Sequence, residues 1–447
     1  MNKNDPSGEI SELKLRSQLK LAENALHAVF CAVFREGRAA DRVLSAYFRD
    51  HRRCGSRDRR FIGEAVFGVF RCWGLLRKGI DPERRRALES GEAAPTAREL
   101  AQWIEGAILI DRIELPAARL FSPVPGNDRL ARAERVLRNW GVAEPACRAE
   151  DLIPAWAAEM VEPDFPLARY ADSLGKRAPM WIRLQGLDPE RSWAEVAATE
   201  LPFRRHPRVR RAAVLENSRV NLYTLPAFQQ GWFEVQDLAS QMIGLVCAPK
   251  RGERWLDLCA GAGGKSLQLA DLMERRGSVV AADVRAYKLE DLRKRARRAG
   301  FPNIRTRAWD GRDFQSARRA PFDGVLADVP CTCSGVWRRN PEGPWALQPT
   351  EAAEMAELQR SILETAAAAV RPGGVLVYAT CSIFAAENRL NVEAFLAAHP
   401  EFSAEPFADP LTGEPVPSGM LSVLPGTEDC DAMFAARLRR RKEEVPS

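Results

Sequence analysis

No window of this chain approaches the run of about 18 apolar residues that a membrane-crossing helix needs, and the polar start MNKNDPSGEISELKLRSQLK lacks a signal-peptide core. A soluble cytoplasmic protein without membrane contact is therefore expected, with a monomer as the working state. The ten cysteines are scattered except for Cys331 and Cys333, so the dense framework of a small secreted domain is excluded and free thiols are expected. Cys331-x-Cys333 also lacks the Cys-x-x-Cys spacing of a zinc site and has no histidine nearby, so no metal is expected. Internal repeats and long low-complexity tracts are absent as well.

What is present is enough for two or three domains: 447 residues, 46% of them hydrophobic and 28% charged. A net charge of +6 and a pI near 8.8 are only mildly basic, yet the positive residues come in groups. Arg52, Arg53, Arg57, Arg59 and Arg60 form one, Arg204, Arg205, Arg208, Arg210 and Arg211 a second, Arg293 to Arg298 a third, and Arg437 to Lys442 a fourth. Guanidinium forks suit phosphate, which makes RNA a candidate partner. Solvated helix faces explain any single group as well.

The first fifteen residues read as a disordered tail. From Leu19, the residues Ala22, Leu26, Val29, Phe30 and Val33 recur at helical spacing. Val43, Leu44, Tyr47 and Phe48 suggest a second helix, and Ser56 is expected to cap a third that carries Phe61, Ile62, Val66, Val69, Phe70 and Trp73. Further helical patterns surround Trp103 and Val136, giving a helical domain over 16–150. Residues 151–235 mix a short helical stretch, a strand-like MWIRL and the second arginine group, and read as a connector. From 236 to 442, the apolar runs WLDL, SVVAADV, DGVLADV and GVLVYAT alternate with helical periods, the pattern of a parallel α/β sheet.

The first of these strands runs into LDLCAGAGGKS (256–266). A phosphate-wrapping Walker loop would need glycine where Cys259 stands, and the dinucleotide fingerprint would need one at Ser266. What survives is a strand, a tight glycine-rich turn and a helix beginning near Gly264, which bring backbone close to a ligand. Asp283 ends the second strand, where a carboxylate can accept from ribose hydroxyls. Asp310, in AWDGRD, is placed to reach an adenine amine. An adenosine-bearing ligand without a long phosphate chain fits, and S-adenosylmethionine is one. A helix cap at Asp283 and a turn at Asp310 are the plainer alternatives.

DVPCTCSG, with Asp328, Cys331 and Cys333, and ATCS, with Cys381, each follow an apolar strand. In an open parallel sheet both would reach the crevice beyond the strand ends, beside the glycine loop. Inert buried thiols are the alternative. Beside a methyl donor, thiols have a use: carbon 5 of a pyrimidine becomes nucleophilic only after a thiolate adds to carbon 6. Asp328, protonated or sharing a proton with ring nitrogen 3, would stabilise the developing charge. A base must later remove the carbon 5 proton, and a second cysteine can serve.

These motifs, with VQDLASQ (235–241), AADV, SGVWRRNPE, SIFAAEN and LPGTEDCDAMFAARL (424–438), resemble the Sun/RsmB family of RNA 5-methylcytosine methyltransferases, in the family's order. The resemblance implies a Rossmann-like class I methyltransferase domain over 236–442, with S-adenosylmethionine as cofactor. It implies that Cys381 attacks carbon 6 and that Cys331 releases the product. Cys259, Ala260, Gly261, Ala262, Gly263, Gly264, Lys265, Asp283, Asp310 and Asp328 would contact the methyl donor or shape its site. SRDRRFIGEAVFGVFR (56–71) resembles the all-α, NusB-like RNA-binding domain of the bacterial RsmB branch, which implies small-subunit (16S) ribosomal RNA as substrate.

The usual CAAPGGKT reads CAGAGGKS here, Pro-Glu-Glu-Asn reads Ala385-Ala386-Glu387-Asn388, and Asp-Gly-Phe-Phe reads Asp431-Ala432-Met433-Phe434. The last two bear on substrate preference. Another ribosomal site or tRNA is the alternative target. A DNA cytosine-5 methyltransferase would share Pro330-Cys331 but continue with Gln in place of Thr332, leaving Cys381 without a role. A catalytically idle RNA-binding assembly factor would need neither cysteine.

Overall fold

The computed structural model describes residues 11–216, 221–311, 321–426 and 428–442. Contacts divide the chain into two compact units. One holds the described residues up to 159 together with 163–177 and 337–348; the other holds 160–162, 178–336 and the residues from 349 onward.

The first unit is helical. Its main helices are α1 (Glu12–Glu36), α2 (Ala40–Asp50), α3 (Ser56–Leu76), α4 (Pro82–Glu89), α5 (Ala97–Asp111) and α6 (Arg129–Asn139). Helix α1 begins at Glu12, inside the stretch expected to be a tail; residues 1–10 lie outside the described residues. Ser56, expected as a cap, is the first helical residue of α3. Asp58 supplies the capping instead, accepting from the Gly55 N–H at 3.3 Å.

The periodic apolar faces meet in one core. Phe30, Trp73 and Trp103 are buried within it, with ring centroids 4.9 Å apart for the two tryptophans and 5.1 Å for Phe30 and Trp73. Each such side chain contributes roughly 2 kcal/mol when removed from water. The Trp73 indole N–H is satisfied by Glu89 at 2.9 Å, as a buried polar group requires.

A late segment completes this unit. Trp345 joins the helical core, and the Arg77 guanidinium lies 4.9 Å from its ring. The carboxylate of Glu342 accepts from the Ala40 N–H at 2.8 Å, at the start of α2.

The second unit carries two main sheets. The smaller has the order β2-β3-β1-β4, all antiparallel, from β1 (Met180–Leu184), β2 (Phe203–Arg205), β3 (Ala212–Leu215) and β4 (Phe233–Val235). MWIRL is thus a strand, and the expected connector contributes a sheet.

The larger sheet has parallel strands β5 (Arg254–Asp257), β6 (Ser278–Asp283), β7 (Ile304–Ala308), β8 (Phe322–Asp328) and β9 (Val370–Thr380) in the order β9-β8-β5-β6-β7. This is the parallel α/β layout expected from the alternation, and the Rossmann-like fold that the resemblance implies. Beyond β9 come antiparallel β14 (Met433–Arg440) and β10 (Phe402–Ala404), with β13 (Met420–Val423) paired to β14. A small ribbon, β11 (Phe407–Ala408) and β12 (Pro415–Val416), stands apart. Covered on both faces, β5, β8 and β9 read as continuous apolar runs.

The four arginine groups meet different fates. Arg437 of β14 donates to the carbonyls of Val246 and Cys247 at 2.6 and 2.8 Å and pairs with Glu405 at 2.9 Å. Arg295 and Arg298 converge on the buried carboxylate of Glu234. In the second group, Arg211 pairs with buried Asp271 at 2.5 Å and Arg205 lies over Trp193 at 4.2 Å. These arginines fasten the fold. Arg52, Arg53, Arg57 and Arg60, at the turn into α3, are exposed.

Candidate active site

The strand order places three loops side by side. In the paired register Asp257 of β5 stands against Leu326 of β8, and Asp328 of β8 against Ala379 of β9. The turn after β5, the loop after β8 and the loop after β9 therefore leave the same sheet edge in adjacent positions, where ligands of open α/β sheets bind.

The glycines of the first turn differ in purpose. Gly263 has φ +86°, and a Cβ there would lie 2.3 Å from Leu292, so packing against the helix Ala286–Arg298 requires its bareness. Gly261, at φ +53°, and Gly264 have open space where a side chain would be. Those positions let a ligand approach the backbone and the first turn of the helix Gly264–Leu272. The donor set suits an adenosine-bearing sulfonium: open backbone and a carboxylate at the next strand end.

Asp283 ends β6 and is 97% covered, at 3% exposure. It accepts from the Gly261 N–H at 2.8 Å, the Arg285 N–H at 2.8 Å and the Arg285 guanidinium at 3.0 and 3.1 Å. Burial alone would raise its carboxyl, but these donors hold it below its ordinary value. Asp310 is exposed, two residues beyond β7; its neighbour Trp309 donates to the Asp283 carbonyl at 3.2 Å.

Cys259 lies in the turn after β5, half-buried. Burial, then the carboxylates of Asp257, Asp328 and Asp283, push its thiol well up. Ser266, the residue a phosphate loop would have used, donates to buried Asp257 at 2.6 Å. Lys265 turns across the crevice to Asp328, 2.7 Å away. Burial would lower the ammonium, and Asp328 more than reverses that.

Cys331 and Cys381 come from different strands and their sulfurs lie 3.4 Å apart. Cys333 joins them: its sulfur is 3.5 Å from the Cys331 carbonyl, and all three sulfurs fall within 4.8 Å of one another. The protons are shared unevenly. Hydrogen bonds from Cys331 and then Cys381 hold the exposed Cys333 thiol at about 3, far below its usual range. Cys331 is pushed up by its hydrogen bonds to Cys333 and Cys381 and by burial. For Cys381 the hydrogen bond from Cys331 is lowering, but that to Cys333 and burial outweigh it.

A buried carboxylate behind the sulfurs holds both loops. Glu387 accepts from the Thr332 N–H at 2.9 Å, the Thr332 hydroxyl at 2.6 Å, the Gln359 amide at 2.9 Å and the Ser382 hydroxyl. Thr332 lies between Cys331 and Cys333, and Ser382 follows Cys381, so one side chain sets both thiols. The Cys381 carbonyl also accepts from Gly335 at 2.8 Å. A Cβ at Gly335 would lie 2.2 Å from the Ala432 carbonyl, which fixes that approach.

Cys331, Cys381, Asp328 and Lys265 are thus brought together, with the glycine turn beside them. Glu387, Arg285, Thr332 and Ser382 carry structural weight that sequence reading did not assign them. Only Glu387 left a signal: it is the carboxylate retained where the family pattern has two.

A family model described as 16S rRNA methyltransferase RsmB/F matches residues 244–439. Ribosomal RNA small subunit methyltransferase B of Salmonella paratyphi A is 28% identical over 449 residues, covering 96% of this chain and all of that protein. The protein of the same name from Salmonella typhi aligns with the same identity and coverage. Among solved structures, PH0851 is 27% identical with a TM-score of 0.65, over 94% of this chain and 99% of that one. NSun6 from Pyrococcus horikoshii, solved with SFG, shares the fold at 19% identity and a TM-score of 0.56, over 65% of this chain and 99% of its own.

Proposed function

We propose that the chain, whose residues 244–439 match the family model described as 16S rRNA methyltransferase RsmB/F, uses S-adenosylmethionine to methylate carbon 5 of a cytosine in RNA, with 16S ribosomal RNA as the substrate. The observation that carries this reading is the sulfur pair Cys331–Cys381, 3.4 Å apart on neighbouring strand ends. Carbons 5 and 6 are bonded neighbours, so a nucleophile for one and a base for the other must stand this close.

S-adenosylmethionine supplies an electrophilic methyl group. In the proposed sequence the Cys381 thiol gives its proton to solvent, its sulfur bonds to carbon 6, and the ring's electron pair moves to carbon 5, which takes the methyl group. The Lys265–Asp328 pair serves the proton that ring nitrogen 3 draws on as charge builds there. Cys331 then accepts the carbon 5 proton, the carbon 6–sulfur bond breaks, and Cys381 is restored. Asp283 and Asp310 would hold the ribose and adenine ends of the donor. Similarity to proteins named for small-subunit ribosomal RNA supports the substrate. The exposed Arg52, Arg53, Arg57 and Arg60 offer a phosphate-binding surface.

The test is transfer of a labelled methyl group to 16S ribosomal RNA followed by base-resolution mapping of 5-methylcytosine. One modified cytosine is expected; label at a ring nitrogen, or in tRNA alone, would overturn the reading. RNA affinity should fall steeply with salt, with a slope shallower by roughly 3 when the four exposed arginines become serine.

A further inference from the structure

We propose that Cys331, Cys333 and Cys381 form a three-sulfur site for one thiophilic divalent d10 cation, Zn2+ or its analogue Cd2+, and that its occupancy withholds the thiols from RNA. The site stands on sulfur geometry alone; its effect on methylation rests on the reading of Cys381 as nucleophile.

Three thiolates around tetrahedral zinc, with Zn–S bonds of about 2.3 Å, lie roughly 3.8 Å apart. Here one pair is at 3.4 Å and all three fall within 4.8 Å, so sub-ångström adjustment suffices. Cys-x-Cys is a poor zinc spacing on its own, but the third ligand comes from a strand end 50 residues away. Cys333 has φ +57°, a left-handed conformation rare outside glycine, which folds its sulfur back toward the Cys331 carbonyl at 3.5 Å.

The Glu387 hydrogen bonds anchor both loops behind the sulfurs, so the ligands are held before any ion arrives. Cys333 is exposed, which leaves the fourth position to water. On binding, the Cys331 and Cys381 S–H bonds and a lone pair of the already ionised Cys333 sulfur give way to three S–metal bonds and two protons pass to solvent, with no change of oxidation state. The resulting single negative charge lies in the field of Lys265 and Arg285, which act electrostatically on Cys381 and Cys333 respectively. A sulfur bound to the cation cannot add to carbon 6, so cation and RNA adduct exclude one another.

The test uses the reduced full-length protein without RNA or methyl donor. Cd2+ is titrated while its sulfur-to-metal charge-transfer absorption is followed, and Zn2+ is competed against a chromophoric chelator. One equivalent should bind, and Cys333→Ser should weaken binding about 100-fold. Cys333→Gly, which suits the positive φ, gives the same loss without disturbing the loop. Zn2+ should slow alkylation of Cys331, Cys333 and Cys381, read site by site, but not of Cys31 in the helical unit.

Unchanged Cd2+ affinity in both Cys333 variants would overturn the site, as would Zn2+ protection confined to two sulfurs. In methylation assays the Cys333 variants, each read against its own metal-free rate, should lose sensitivity to Zn2+; retained sensitivity would also overturn it. Intact metal binding in a protein that methylates no RNA would support the site and sink the reaction assignment instead.

Discussion

The donor turn and the two cysteine loops border the same crevice but are built in opposite ways. Gly261, Gly263 and Gly264 shape the turn through their own backbone, within a few residues. The cysteine loops lie 50 residues apart and are set by a third party, Glu387, through Thr332 and Ser382. One side of the crevice owes its shape to local conformational freedom and the other to a long-range polar hub. The donor side should therefore tolerate loss of a single polar contact, whereas the thiol side should not.

The sharpest test separates the two sulfurs. Cys381→Ala should abolish both methylation and covalent RNA capture, whereas Cys331→Ala should accumulate a stable protein–RNA adduct, visible on denaturing gels. Normal turnover by Cys331→Ala would reverse the roles. Next is Glu387→Ala, which frees both loops: kcat should fall about 100-fold, as for an ångström-scale misplacement. KM for S-adenosylmethionine should barely move, and Glu387→Gln should restore part of the rate. An unchanged kcat would dissolve the contrast between the two sides.

On the donor side Asp283→Ala should raise KM for S-adenosylmethionine about tenfold, with kcat nearly preserved, matching the loss of a charge-assisted hydrogen bond. The smallest effect on activity is expected at Asp257, beneath the turn, where the change is in stability. Burial lifts its carboxyl to about 7, against the hydrogen bond from Ser266. The folded chain keeps a proton there that the unfolded chain releases near pH 4. That stabilisation is complete below about pH 4 and is lost as pH rises toward 7. Asp257→Asn holds no such proton, so its stability relative to wild type should climb across that window by on the order of 4 kcal/mol, read from denaturant midpoints. A difference independent of pH would mean that Asp257 is ionised throughout.

The same contrast explains what could be read in the sequence. Glycine spacing reports its own backbone, and fully covered parallel strands report themselves as apolar runs, so the donor turn, β5, β6, β8 and β9 were legible. Strand β7 was not, because IRTRA carries two arginines. Nor was β14: MFAARLRR looks like a solvated cluster until Arg437 reaches the carbonyls of Val246 and Cys247. The thiols were legible as residues, but their spacing was not. Their convergence on one crevice followed from the strand ends, but direct sulfur contact did not, since that depends on β8 and β9 being neighbours. Charge grouping likewise could not separate arginines that pair with Glu234 or Glu405 from those at the turn into α3 that face solvent.

Trp345 and Glu342 belong to the helical unit although they follow the Cys331–Cys333 loop in the chain. During synthesis the helical core therefore cannot close fully when its own helices have emerged; it waits for a segment encoded far downstream. A fragment ending near residue 150 would leave the Trp345 socket open and the α2 N-terminus without its carboxylate. The two units are stitched by chain that leaves and returns, so neither can be exchanged between proteins as a simple cassette.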